Sequence, residues 1–174
     1  MGHVNLARPG DSYGESFVDL VQALHCEGLE QHLVLRDRAI VERLVPLDGV
    51  SISPVVHTAV TASCLVPSVD ITHVHDLAAG QAGLILTLTR SIPYVLTHAG
   101  EVPNRRNPLA HAIYRRAACV ICADHADIDL LRHFEPGMRI AIVQQTGQHA
   151  AIHELVRVYQ NSQRMPIAGN NGIQ

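Results

Sequence analysis

The chain reads as an α/β protein: a doubly wound, Rossmann-like sheet of about seven parallel strands with helices on both faces. Three observations predict this. Short β-branched runs alternate with stretches of helical period from end to end. Seven such runs are separated by helices, the pattern of a parallel sheet built from right-handed crossovers. Helix-boundary signals fall between the runs, such as Gly28, Asn107-Pro108 and Pro136-Gly137.

In order along the chain, His3 to Arg8 is the first strand. The loop Pro9-Gly10-Asp11-Ser12-Tyr13-Gly14 opens a helix with Phe17, Leu20, Val21 and Leu24 at helical spacing. Ser12 and Glu15 stand three apart, as in a capping box, and Gly28 sits where a helix C-terminal glycine belongs. Gln31 to Leu35 is the second strand, Ala39 to Leu44 a short helix, and Val50 to Val55 the third strand. The segment His57 to Pro67 reads as helix or loop. Asp70 to His75 is the fourth strand, followed by a helix through Gln81 and Leu88, and Tyr94 to His98 is the fifth strand. Asn107 caps a helix with Pro108 in its first turn, ending near Ala117. Cys119 to Ala123 is the sixth strand, and Asp124 caps a helix carrying Ile128, Leu131 and Phe134. Arg139 to Val143 is the seventh strand. A last amphipathic helix places Ile152, Leu155, Val156 and Tyr159 on one face. Residues 1–163 form one domain and 164–174 read as a flexible tail.

Composition narrows the function classes. At 174 residues, 47% hydrophobic and 17% charged, the chain has the make-up of a globular domain with a real core. No apolar run approaches the roughly 20 residues of a membrane span, and Met1 to Arg8 lacks the pattern of a signal peptide. Four cysteines without scaffold-like spacing fit a reduced compartment, so the expected location is cytoplasmic. The net charge of -3 and the lack of Trp argue against nucleic-acid binding. Every basic residue other than histidine is Arg, whose guanidinium suits bidentate phosphate recognition.

Ligands of such sheets bind outside the strand carboxyl ends, where the strand order reverses. With the order 3-2-1-4-5 the switch falls between the first and fourth strands. The loop from Gly10 to Gly14, His75, Asp76 and His98 are then expected to face one crevice. The loop reads either as an anion cradle at a helix N-terminus or as a plain turn. Its Gly-x-x-x-Gly spacing is neither a dinucleotide nor a Walker fingerprint. His73 and His75 share a strand face, but Leu77 stands where a His-x-His-x-Asp-His metal motif needs a further ligand. No metal is expected, and His73 reads as a satisfied core histidine. His98 reads either as a hydroxyl-binding imidazole or as a strand-end cap. Cys119 and Cys122, three apart on a strand, point to opposite faces and read as structural. Arg105 and Arg106 read as a phosphate contact near the crevice mouth or as solvated surface, and Arg115-Arg116 as solvated surface.

Together these pieces, from His3 to about Val143, resemble the N-terminal half of the family-four, GT-B-fold glycosyltransferases. The carriers are Tyr13-Gly14-Glu15-Ser16 after the first strand, Asp70-Ile71-Thr72-His73-Val74-His75-Asp76, and Leu96-Thr97-His98. Tyr114 to Ala123 is similar to the family's stretch before the sixth strand. The resemblance implies an acceptor domain that is one half of a GT-B fold, with His98 as the catalytic residue touching the reacting sugar or acceptor hydroxyl. It implies that His75, Asp76, Arg105 and Arg106 bind the acceptor, and that Gly14 and Tyr13 meet the donor pyrophosphate. Tyr13 departs from the family's Gly-Gly and narrows that approach. No cofactor is implied beyond a nucleotide sugar as co-substrate. The implied partners are a sugar or glycolipid acceptor, as in lipopolysaccharide or polysaccharide synthesis, and a donor-domain protein or a second copy. Membrane contact would be peripheral, at the inner membrane surface. The donor half has no counterpart here, so the expectation is either hexosyl transfer with a partner or an inactive, truncated or degenerate remnant. The alternatives are a non-catalytic sugar- or nucleotide-binding or assembly module, and a fragment of a sugar-nucleotide epimerase.

Overall fold

Helix and strand alternate because amphipathic stretches of period about 3.6 alternate with short runs such as β1 and β6 that are buried at every position. The computed structural model describes residues 1–7, 13–44, 47–98, 101–143 and 148–164. Among them the order is β1 (Gly2–Asn5), α1 (Tyr13–Cys26), β2 (Gln31–Leu35), α2 (Arg38–Leu44), β3 (Val50–Ile52), α3 (Ala59–Leu65) and β4 (Thr72–Val74). Then come α4 (Leu77–Arg90), β5 (Tyr94–Thr97), α5 (Pro108–Arg116), β6 (Cys119–Cys122), α6 (Ala126–Phe134), β7 (Ile140–Ile142) and α7 (Gln148–Gln163). All strand pairs are parallel, in the order β3-β2-β1-β4-β5-β6-β7. The predicted fold class and the reversal between β1 and β4 are therefore present.

The two faces of the sheet bury different partners. Val4, Val74, Tyr94, Leu96, Val120 and Cys122 pack against α4, α5 and α6 through Ala82, Leu86, Ile113, Leu131 and Phe134. On the opposite face Ile71, Val95, Cys119 and Ile121 meet Leu24 of α1 and Ile152, Leu155, Val158 and Tyr159 of α7. A third cluster joins Phe17, Val18 and Val21 of α1 to Leu33 and Leu35 of β2. Each fully buried Val, Leu or Ile contributes about 1.5–3 kcal/mol. Cys119 and Cys122 lie on opposite faces as free thiols, and burial pushes their pKa values up to about 11 and about 12. Both stay protonated and inert, as the alternation of a strand requires.

Local boundaries follow cap chemistry. Asn107 caps α5, accepting from Ala110 N at 3.1 Å, with Pro108 in the first turn. Gly28, at φ +75°, takes the left-handed turn that ends α1. The ambiguous stretch is settled by Thr58, whose hydroxyl accepts from Thr61 N at 3.2 Å and starts α3. At α6 the N-cap position belongs to His125, not Asp124; Asp124 instead accepts from Ala126 N at 2.9 Å. Several strands are shorter than their apolar runs: β1 stops at Asn5, β3 at Ile52 and β4 at Val74. Pro54 brings no N–H to a ladder, which fits the early end of β3. Val156 is only half-buried, and Val158 takes its place on the inner face of α7. The expected Ser12 cap and the 165–174 part of the expected tail lie outside the described residues.

Candidate functional site

The carboxyl edge between β1 and β4 is where the strand order reverses. Val74 is the last paired residue of β4, and the chain then delivers His75 and Asp76. Asp76 caps α4, its Oδ1 accepting from Ala79 N at 2.5 Å. Its Oδ2 is buried with no partner among the described residues. Burial raises the carboxyl pKa, while the N–H groups of Ala79, Ala78 and Leu6 and the charge of Arg36 draw it back. A half-satisfied carboxylate between the ends of β1 and β4 is well placed to accept a ligand hydroxyl.

His75 turns inward. Its Nε2 lies 3.1 Å from Nδ1 of His3, which is also buried. Its ring sits 4.7 Å from the Phe17 ring, edge-on, and 4.0 Å from the His73 ring. His3 and His73 are register partners on β1 and β4. His73 is satisfied, as expected, with Nε2 at 2.7 Å from Thr97 Oγ1 and Nδ1 at 2.7 Å from the Tyr159 hydroxyl. Burial lowers all three imidazole pKa values, that of His73 to about 3, so all are neutral near pH 7.

Beside them is a cavity of about 250 Å³ between α1, α7 and the carboxyl halves of β4 to β6. Ser16, Asp19 and Leu20 of α1, His73, His75, Thr97, Ile121, and Ile152 and Leu155 of α7 line it. Sequence reasoning gave no role to His3, Ser16, Asp19, Thr97 or the α7 wall. His3 was not findable from spacing, since only the β1–β4 register places it beside His73.

His98 is not in this cavity. Thr97 lines it, and the next residue of an extended chain points to the other face. His98 Nδ1 lies 2.8 Å from the Tyr114 hydroxyl of α5, and its Nε2 is buried with no partner among the described residues. Burial lowers the His98 pKa, with Asp127 acting the opposite way. Burial raises the pKa of the Tyr114 hydroxyl, which keeps its proton. When that hydroxyl donates to Nδ1, neutral His98 carries its own proton on Nε2 and can donate to a ligand oxygen; in the other tautomer Nε2 accepts instead. The expected single crevice is therefore divided. His75 belongs to the α1/α7 face and His98 to the α4/α5 face, a consequence of strand alternation across the odd spacing.

Arg105 and Arg106 occupy an exposed turn. Arg106 N donates to Asn104 Oδ1 at 2.9 Å, and the Arg105 carbonyl accepts from His111 Nε2 at 2.8 Å. His111 Nδ1 meets Glu135 Oε2 at 3.0 Å. Both partners of that ring are acceptors, so the imidazolium form satisfies them. The Arg105 carbonyl, then Glu135, raises the His111 pKa. Arg115, read as solvated, pairs with Glu135 at 3.3 Å while staying largely exposed. Tyr13 and Gly14 form the first two residues of α1, and Gly10 lies outside the described residues. Among the described residues no helix is long and apolar enough to cross a membrane.

No family model matches the chain, and no curated protein matches it by sequence. Solved structures do match. A sucrose-phosphate synthase chain from Thermosynechococcus elongatus aligns with a TM-score of 0.60 at 13% identity, covering 92% of this chain and 97% of that one. At this identity the likeness is one of fold: a seven-stranded parallel sheet of the kind that makes one half of a GT-B protein.

Proposed function

We propose that these residues form the acceptor-side domain of a GT-B glycosyltransferase. The observation that carries this reading is the fold shared with a sucrose-phosphate synthase chain, in which polar, partly unsatisfied groups gather at the β1/β4 reversal. In this reading His98 donates its Nε2 proton in a hydrogen bond to the reacting sugar or acceptor hydroxyl. Asp76 Oδ2 accepts a second hydroxyl, and His75 lies behind it. The amino end of α1 at Tyr13 and Gly14 offers its helix N-terminus to the donor diphosphate. Arg105 and Arg106 meet a phosphate on the acceptor. A nucleotide-sugar-binding half, on this polypeptide or another, completes the cleft, and the work is done in the cytoplasm, at or near the inner membrane surface.

The test is in two parts. Titration with neutral and phosphorylated saccharides, followed by NMR, should shift the His98 ring signals, and His98→Ala should weaken binding about tenfold, the size of one good hydrogen bond. These residues alone, given labelled nucleotide sugar and acceptor, should give no transfer until a donor-binding half is added. Transfer by these residues alone would overturn the divided-cleft reading. Saccharides that leave His98 unmoved would favour a non-catalytic binding or assembly module on the same scaffold.

A further inference from the structure

We propose that His3, His73 and His75 form a site for one divalent transition-metal ion of the zinc class, open on one side to the α1/α7 cavity. The inference is independent of the sugar-transfer reading.

Two parallel strands put three buried imidazoles side by side, and one ring nitrogen from each lies within 4.8 Å of the other two. A tetrahedral ion with nitrogens at 2.0–2.1 Å spaces them about 3.3 Å apart. The His3–His75 pair already stands at 3.1 Å, so closure asks mainly for a small rotation of His73. The outer contacts favour ligation. Gln31, its amide anchored to Val21 O at 3.0 Å, is a polar neighbour of His3. Its Oε1 and His3 Nε2 are both buried without a hydrogen-bond partner among the described residues. A proton on His3 Nε2, which that carbonyl could accept after a small shift, leaves the Nδ1 lone pair facing His75, the tautomer an ion requires. His73 keeps one hydroxyl partner, Thr97 or Tyr159, when the other of its nitrogens takes the ion.

The rest of the design follows the open type of zinc site, three protein ligands and one free position. His73 and His75 both line the cavity, which supplies an access route and room for water as fourth ligand. Imidazole is a borderline donor that selects Zn²⁺, Cu²⁺, Ni²⁺ or Co²⁺ over Mg²⁺ and Ca²⁺.

The experiment titrates the chelator-stripped chain with Co²⁺ and then displaces it with Zn²⁺. One ion per chain with the intense visible bands of tetrahedral cobalt is expected. In the unsubstituted protein Zn²⁺ should move the ring signals of His3, His73 and His75. His75→Gln should weaken binding by more than the 10–100-fold typical of an outer partner, and Gln31→Met by about tenfold. The proposal is overturned if tetrahedral bands fail to appear, or if Zn²⁺ moves only exposed rings such as His57 and His133. Because the NMR readout uses the unsubstituted chain, a variant that misfolds does not shelter the idea.

Discussion

The two faces of this sheet solve burial in opposite ways. The α4/α5 face is close-packed and almost wholly apolar up to its carboxyl edge. There α4 approaches so tightly that a Cβ on Gly83 would stand 2.7 Å from the Tyr94 ring and 3.1 Å from Val74. The α1/α7 face instead buries His3, His73 and His75, ties His73 to Thr97 and Tyr159 and His3 to His75, and keeps a cavity beside them. Stability of the first face comes from packing volume. Stability of the second comes from hydrogen bonds and from keeping imidazoles neutral. The difference teaches where chemistry can live: the polar, cavity-bearing face can take a ligand within it, whereas the interdigitated apolar one offers a ligand only its carboxyl edge, at His98.

Acid should separate the faces with the largest effect. A buried neutral imidazole takes up no proton in the fold but does so when unfolded, where its pKa is near 6.5. The unfolded state then binds more protons, so stability falls as pH drops below about 6.5 and continues to fall toward the native pKa. For His73, whose native value is about 3, the loss between about pH 7 and about pH 5 is about 2 kcal/mol. His3 and His75 act with the same sign. His111, whose pKa is raised, acts with the opposite sign, its contribution being present below about 6.5 and lost as pH rises through the native value. Denaturant melts across this range should show a steep acid limb, shallower in His73→Gln. A flat profile from pH 7 to 5 would mean that the imidazole face is not dry.

Packing should be the weak point of the other face. Gly83→Val forces a branched side chain against the Tyr94 ring, a rigid neighbour that cannot swing aside. Overpacking of this kind costs about 3 kcal/mol, offset only slightly by better helix propensity. The loss should be nearly independent of pH, in contrast to His73→Gln, and a thermal melt at two pH values checks both.

The sheet was legible in the sequence because its strands are short, mostly apolar runs between helices, and the observed order contains the common order 3-2-1-4-5 that such sheets adopt. Asn107, Pro108 and Gly28 marked boundaries through local chemistry that needs no tertiary context. Strand ends were less legible, since Asp70-Ile71 and His75 read as β4 although the ladder holds only Thr72 to Val74. The site was legible in part. His75, Asp76 and His98 do stand at the strand ends, but which face each belongs to depends on the residue at which pairing stops. The three-imidazole cluster was invisible to spacing. Its members lie on two strands separated by about seventy positions, and only the β1–β4 register places His3 beside His73. A motif read along one strand therefore showed two imidazoles, and the third came from the neighbour.

The smallest expected effect concerns the joint between α7 and the imidazole face. The Tyr159 hydroxyl is a polar tie from α7 to the sheet through His73 Nδ1, beside apolar contacts from Ile152, Leu155 and Val158. Tyr159→Phe keeps the ring and removes one buried hydrogen bond, which is worth about 1 kcal/mol. Because Thr97 still holds His73 Nε2, the imidazole keeps one partner and the sheet should be unaffected. The loss should instead appear as local opening, with faster amide exchange confined to α7 and little change in α4 or α5. If exchange quickens equally on both faces, the two faces melt as one unit, and the division between a packed wall and a hydrogen-bonded one describes composition but not cooperativity.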